Sequence, residues 1–429
     1  MAELTLGGAV DAAPAEESDF SPRKMKIAFA CAVGLMLAGG GFAQAAIALI
    51  MLPLQHDFGW SRGAIGLGLT LMTWAGALAA PLAGRYVDKR GARRMLIWTA
   101  LGITAVTAAL GFSTRSILQF YACFILLGLL GASAVGYIKI ISALFSRHRG
   151  KAFALFMVEA TVVMAIMPPL MNLLMPHGEW RGLFLWLAAI KLVVAIPIMF
   201  IWIKDPVLVV PDQMSATLSP PVEGLTMGEA FRSYTFWMIL AGNVGGGLTI
   251  YGLFAHLVGM MNAHGLSRGA AVGALSFLAL FTALGQFSSG FVLDKVQSSK
   301  IASAYLVLFA IGIFLISQAS AQTGVLPLYI GVALMGLGGG AQEPMRNYFF
   351  TRYFGLRSFA EITSWFRSIQ AVLTAPAPWI VGVMFDRTHS YAFAFILFGA
   401  GCISSIVLFA LLPAYRFGVG APLTAPAKA

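Results

Sequence analysis

Gly59-Trp60-Ser61-Arg62-Gly63-Ala64 recurs as Gly265-Leu266-Ser267-Arg268-Gly269-Ala270, an offset of 206 residues. Further matches follow each copy. Gly84 and Asp88-Lys89 return as Gly290 and Asp294-Lys295 at the same offset, then Gly128 aligns with Gly336 and Pro168 with Pro376 at 208. Chance seldom gives matching loop motifs at one constant offset, so the chain reads as a duplicated unit.

Composition says what the unit is. Of 429 residues, 59% are hydrophobic and only 10% charged, and the mean hydropathy is +0.84. Soluble domains carry about a quarter charged residues. The relevant element is therefore a spanning helix of roughly 20 apolar residues across a ~30 Å hydrocarbon core. Apolar runs predict spans from about Ile27 to Leu52, Ala64 to Val87, Met95 to Ser113, Ile117 to Phe145, Lys151 to Met175 and Arg181 to Ile203. A second set follows at Tyr234–Met261, Gly269–Leu293, Lys300–Ser320, Val325–Phe350, Phe359–Phe385 and Tyr391–Tyr415. The predicted fold is thus an all-α membrane protein, twelve transmembrane helices in two pseudo-symmetric six-helix bundles. Residues 1–26 are expected to form a disordered cytoplasmic tail, 27–203 the first bundle and 204–232 a Pro-rich cytoplasmic linker; 233–415 form the second bundle and 416–429 a second cytoplasmic tail. Two same-facing six-helix halves are an arrangement of secondary transporters.

The net charge of +11 does not point to nucleic acid, because Lys and Arg sit in short runs between apolar stretches. Alternate loops carry Arg85, Lys89, Arg90, Arg93 and Arg94, then Arg147, Arg149 and Lys151, then Arg352 and Arg357. The opposite loops hold single residues such as Arg62, Arg115, Arg268 and Arg387. That asymmetry predicts both termini in the cytoplasm and an inner (plasma) membrane setting. Cys31, Cys123 and Cys402 lie inside apolar runs, so no disulfide framework is expected.

At Gly84-Arg85-Tyr86-Val87-Asp88-Lys89-Arg90-Gly91-Ala92-Arg93-Arg94 the chain resembles the major facilitator superfamily, whose loop between spans 2 and 3 reads Gly-x-x-x-Asp-(Arg/Lys)-x-Gly before paired basic residues. A degenerate copy stands at Gly290 to Lys295. The resemblance implies that Gly84, Asp88, Arg93 and Asp294 are gating residues: an acid beside cations at a helix end can latch helices and release them. More narrowly, Phe58 to Arg62, Arg149 to Ala154 and Glu179-Trp180-Arg181 look like the monocarboxylate and oxalate–formate branch, which moves small organic anions. The chain departs from that branch: span 1 has no buried Lys and span 8 no internal Asp or Arg.

An ionisable residue at bilayer depth costs several kcal/mol unless paired or wet, and so marks a functional candidate. Six qualify: Lys139, Glu159, Lys191, Glu343, Arg346 and Arg367. At 1.5 Å per residue, Lys139 and Glu159 fall roughly 12 Å from the cytoplasmic surface on consecutive helices, close enough to pair. Glu343, counted from Arg352, and Arg367, counted from Arg357, fall at roughly 14–15 Å, near the midplane. Arg346 lies one turn beyond Glu343 on the same face. Pro344, with Gly338-Gly339-Gly340 just above, loosens this helix as transporter sites require. Lys191 apart, three cations face two acids, a surplus that favours an anionic substrate. Arg346 and Arg367, with Lys139, Tyr137 and Asn347, are the candidate substrate ligands, and Glu343 and Glu159 the candidate proton carriers. Structural ion pairing is the competing explanation for both groups.

His256, Gln44, Asn243, Gln286 and Gln342 are read as ties between helices, and Trp74, Tyr251, Tyr348 and Trp365 as packing or pocket walls. There is no Gly-x-x-x-x-Gly-Lys-(Ser/Thr) for ATP, no His-Glu-x-x-His and no Gly-x-Ser-x-Gly. The expectation is a non-enzymatic secondary transporter of small organic anions, aromatic ones included, coupled to protons by alternating access. It is expected to work as a monomer in the lipid bilayer, with no catalytic residue, cofactor, metal or nucleic acid. Drug or metabolite efflux, or anion exchange, is the alternative; a non-transporting sensor is the weakest. Against efflux, span 5 reads Ala165-Ile166-Met167-Pro168-Pro169 where exporters of the family carry Gly-x-x-x-Gly-Pro.

Overall fold

A computed structural model of the chain describes residues 21–38, 40–112, 115–144, 165–175, 179–203, 224–295, 298–355 and 357–417. The first half holds α1 (Pro22–Ala38), α2 (Gly40–Phe58), α3 (Arg62–Arg90), α4 (Ala92–Gly111), α5 (Ile117–Gly131), α6 (Ala134–Leu144), α7 (Trp180–Ile190) and α8 (Ile196–Trp202). After a short α9 (Met227–Arg232), the second half holds α10 (Tyr234–Ala263), α11 (Arg268–Lys295), α12 (Lys300–Gln318), α13 (Leu326–Gly340), α14 (Gln342–Tyr353), α15 (Phe359–Thr374), α16 (Ala377–Thr388) and α17 (Ala392–Ala410). Among the described residues there is no strand, and nine helical stretches are long and apolar enough to cross a membrane. The segment 165–175 belongs to the fifth predicted span, the rest of which lies outside the described residues. The pattern agrees with twelve spans.

The duplicated motif folds the same way twice. Gly59 and Gly265 take positive φ of 71° and 78°, a conformation glycine adopts without a Cβ clash. Ser61 and Ser267 then accept the N–H of Ala64 and Ala270, each at 3.2 Å, so both α3 and α11 start on a serine cap. Deeper in each half, a Cβ on Gly128 would run into the Met72 carbonyl oxygen, and one on Gly336 would stand 2.8 Å from that of Leu278. The same glycine seats the same helix crossing in both halves.

Several spans are interrupted. The sixth takes one π-helical turn at Lys191–Ala195. The tenth breaks at Ala341, after the three glycines, and the eleventh at Ala375-Pro376, where proline supplies no N–H to the helix ladder.

The halves meet unevenly. On the face opposite the chain ends, one apolar core joins Leu49, Leu54, Ile65 and Leu69 of the first half to Leu253, Leu257 and Val381 of the second. Towards the chain ends the core divides in two. One cluster (Cys31, Val87, Tyr137, Met199) belongs to the first half, the other (Phe236, Phe350, Phe366, Leu412) to the second. Among the described residues, the apolar core shared by the two halves lies on the distal face, and the clusters towards the terminal face belong to one half each.

Candidate functional site

Between these regions lies a cavity of about 300 Å³. It is walled by Asn243 and Tyr251 of α10, Gln342, Glu343 and Arg346 of α14, and Arg367, Gln370 and Thr374 of α15. The helix breaks create it: α14 restarts at Gln342, and α15 stops at Thr374, so polar groups at both interruptions face the same space. Irregular backbone at membrane depth is tolerated where it lines such a cavity.

Three charges converge there. Glu343 bridges Arg346 and Arg367, one guanidinium on each carboxylate oxygen. Arg346 is 6% exposed, whereas Arg367 and Glu343 are 54% and 45% exposed at the side chain. The first cation is therefore built into the wall and the other two groups stand in the cavity. Arg346 also donates to Gln370 Oε1 at 3.2 Å and lies over the Phe366 ring at 5.7 Å. Two cations against one acid leave one positive charge unmatched within this group.

The remaining candidates lie elsewhere. Tyr137 is wholly buried in the terminal core of the first half, its hydroxyl 3.8 Å from Met199 Sδ, because Gly34 leaves room for its ring. Lys139 donates to the Val87 carbonyl at 3.3 Å, in the same half. Asn347 follows Arg346, but one residue turns a helix by about 100°, and it does not line the cavity. Glu159 lies outside the described residues. Lys191 is buried and donates to Thr107 of the neighbouring α4 at 2.9 Å. Of the gating residues, Asp88 and Asp294 fall in the last turns of α3 and α11, Gly84 has open space around it, and Arg93 donates to the Phe200 carbonyl at 3.1 Å within its own half.

A second polar cluster closes the distal face. Asp386 of α16 accepts the backbone N–H groups of Arg62 (3.0 Å) and Gly63 (2.8 Å), the first of α3. The Arg62 side chain donates to Tyr391 and, at 2.9 Å, to Gln55, and stacks on Phe385 at 3.7 Å. Tyr391 in turn contacts His256 Nδ1 at 3.4 Å, and His256 Nε2 bonds the Pro378 carbonyl at 2.8 Å. Nearby, the Trp180 indole donates to Asp57 at 2.9 Å and holds that carboxyl below its usual range. Sequence reading did not single out Asp386 or Tyr391, and set Arg62 down as a loop charge. Gln370 was also missed, although it stands one turn from Arg367.

The model of the major facilitator superfamily matches residues 31–378. The chain belongs to the major facilitator superfamily. Among curated relatives, this superfamily member is 24% identical over 416 residues to a probable L-galactonate transporter of Escherichia coli, covering 90% of this chain and 87% of the relative. It is 30% identical over 176 residues, 38% of its length, to a quinolone resistance transporter of Acinetobacter baumannii. Among solved structures, a mutant of the nucleoside transporter NupG superposes with a TM-score of 0.72 at 13% identity, covering 91% of this chain and 99% of that one. An inward-facing, occupied bacterial homolog of the human lysosomal transporter Spinster gives 0.67 at 15%, covering 91% and 95%. The protein is a multi-pass membrane transporter of the major facilitator type and not an enzyme.

Proposed function

We propose that the protein carries small organic anions together with protons by alternating access, from an inner membrane in which both termini are cytoplasmic. One observation carries the reading: Arg346, Glu343 and Arg367 converge in one cavity with a surplus positive charge. Arg presents a planar fork suited to a carboxylate. A substrate carboxylate that takes over the guanidinium of Arg367 leaves Glu343 with fewer cationic partners in a half-dry site, and Glu343 then takes up a proton. The core shared on the distal face and the separate clusters described towards the terminal face correspond on this reading to a cytoplasm-open state, and Gly84, Asp88, Arg93 and Asp294 to the latch that closes it. L-galactonate, the sugar acid named for one relative, belongs to the proposed substrate class.

Uptake of labelled L-galactonate, lactate, oxalate and benzoate into proteoliposomes tests this, with and without an inward proton gradient. Gradient-stimulated uptake of an acid, lost in Arg346→Ala and Arg367→Ala proteins that still fold, supports the proposal. Efflux is the second reading, favoured by the likeness to a quinolone resistance transporter. Extrusion of neutral or cationic compounds with no movement of any acid would replace the first reading with the second.

A further inference from the structure

The surplus charge of the cavity depends on a neutral residue. Gln370 lies on α15 one turn beyond Arg367 and is the group that Arg346 Nη1 contacts on the α15 side, at 3.2 Å. Its amide nitrogen donates to the Asn243 carbonyl of α10 at 3.4 Å. One end of the carboxamide therefore meets a cation and the other a carbonyl oxygen, so only one orientation satisfies both. The Thr374 hydroxyl bonds the Gln370 carbonyl at 2.9 Å, tying the backbone here to the end of α15. Gln370 thus spans three of the walls and fixes a guanidinium that is otherwise held by Glu343 and the Phe366 ring.

A glutamate has the same length and would reach the same guanidinium. It would also add an acid to a group of two cations and one acid, bringing the sum to zero. The carboxamide orients Arg346 without neutralising it. From this we infer that Gln370 is a positioning residue that sets the charge preference of the transporter: it aims Arg346 and keeps one positive charge available to an anionic substrate. The inference rests on the anion reading above and adds the residue that makes the preference possible.

Binding to the purified full-length protein, followed by tryptophan fluorescence, separates the two. The probes are L-galactonate, lactate, oxalate and benzoate, with galactitol as a neutral polyol. In Gln370→Met the guanidinium loses its guide but the surplus remains, so the best acid binds about 3- to 10-fold more weakly and is still preferred over galactitol. In Gln370→Glu the acid binds roughly 10- to 100-fold more weakly, and its advantage over galactitol disappears. If that variant does not fold, Ala371→Glu adds a charge to the same wall without touching the partner of Arg346, and the same loss of preference is expected. Wild-type affinity for the acid in Gln370→Glu, or equal loss in the Met and Glu variants, overturns the inference and leaves the anion reading standing. Failure of the wild type to bind any of the four acids removes both.

Discussion

Arg346, Glu343 and Arg367 differ in burial, and the difference assigns them different work. A guanidinium that is 6% exposed is held by Gln370 and Glu343, whereas Arg367 and Glu343 are about half exposed, and on the proposed reading these two exchange partners with the substrate. Replacing Glu343 by Gln removes the proposed proton carrier and keeps both cations. Exchange of labelled for unlabelled acid across proteoliposome membranes should then persist, while accumulation driven by an inward proton gradient falls at least about tenfold; accumulation at the wild-type level would refute a coupling role. These three residues were legible because depth is arithmetic. Counting 1.5 Å per residue from Arg352 and Arg357 puts Glu343 and Arg367 at one level, and the structure bridges them. Tyr137, Lys139 and Asn347, also candidate substrate ligands, do not line this cavity, because depth says nothing about which way a side chain faces. Gln370 carries no charge to draw notice, and its role exists only through Arg346.

The tenth span shows how an element builds a site. Its upper part, α13, is pressed between α11 and α12: a Cβ on Gly336 would meet the Leu278 oxygen at 2.8 Å, and a Cβ on Gly340 would strike the Thr282 carbonyl. Such close approach locks α13, so the break at Ala341 has a fixed platform from which α14 projects Gln342, Glu343 and Arg346. Gly340→Ala forces the backbones apart, and overpacking of this kind typically costs about 1–3 kcal/mol. The purified variant should melt several degrees below wild type, with acid binding weakened by the shift of α14. An unchanged melting curve would mean that α13 and α11 slide past each other freely. The glycine run and Pro344 predicted a loosened helix, and the interruption falls between them. The interruption in the sixth span is not readable, since the π-turn at Lys191–Ala195 contains neither Pro nor Gly.

At the scale of the molecule, the apolar core that the two halves share among the described residues lies on the distal face, and the polar cluster there crosses between them. The contact between Arg62 and Asp386 joins residues 324 positions apart, beyond what any local pattern could signal, whereas the repeat that frames it was plain from matched motifs. Physically the contact is a helix cap supplied by the other half. The first N–H groups of a helix lack intrahelical acceptors and carry the positive end of its dipole, and Asp386 answers both needs for α3. Alternating access requires that this cap be broken each time the distal face opens. Two hydrogen bonds to a carboxylate, of about 1.5–3 kcal/mol each, hold the closed form. Asp386→Ala should therefore move the population toward the distal-open form by tenfold or more, and Asp386→Asn, which keeps one acceptor, by less. Spin labels at His56→Cys and His389→Cys, both exposed on this face, report the change as a longer interlabel distance; Cys31, Cys123 and Cys402 are buried and need not be removed. If the distance distribution of Asp386→Ala matches that of the parent, the cap does not hold the face shut, and the apolar core alone must do so.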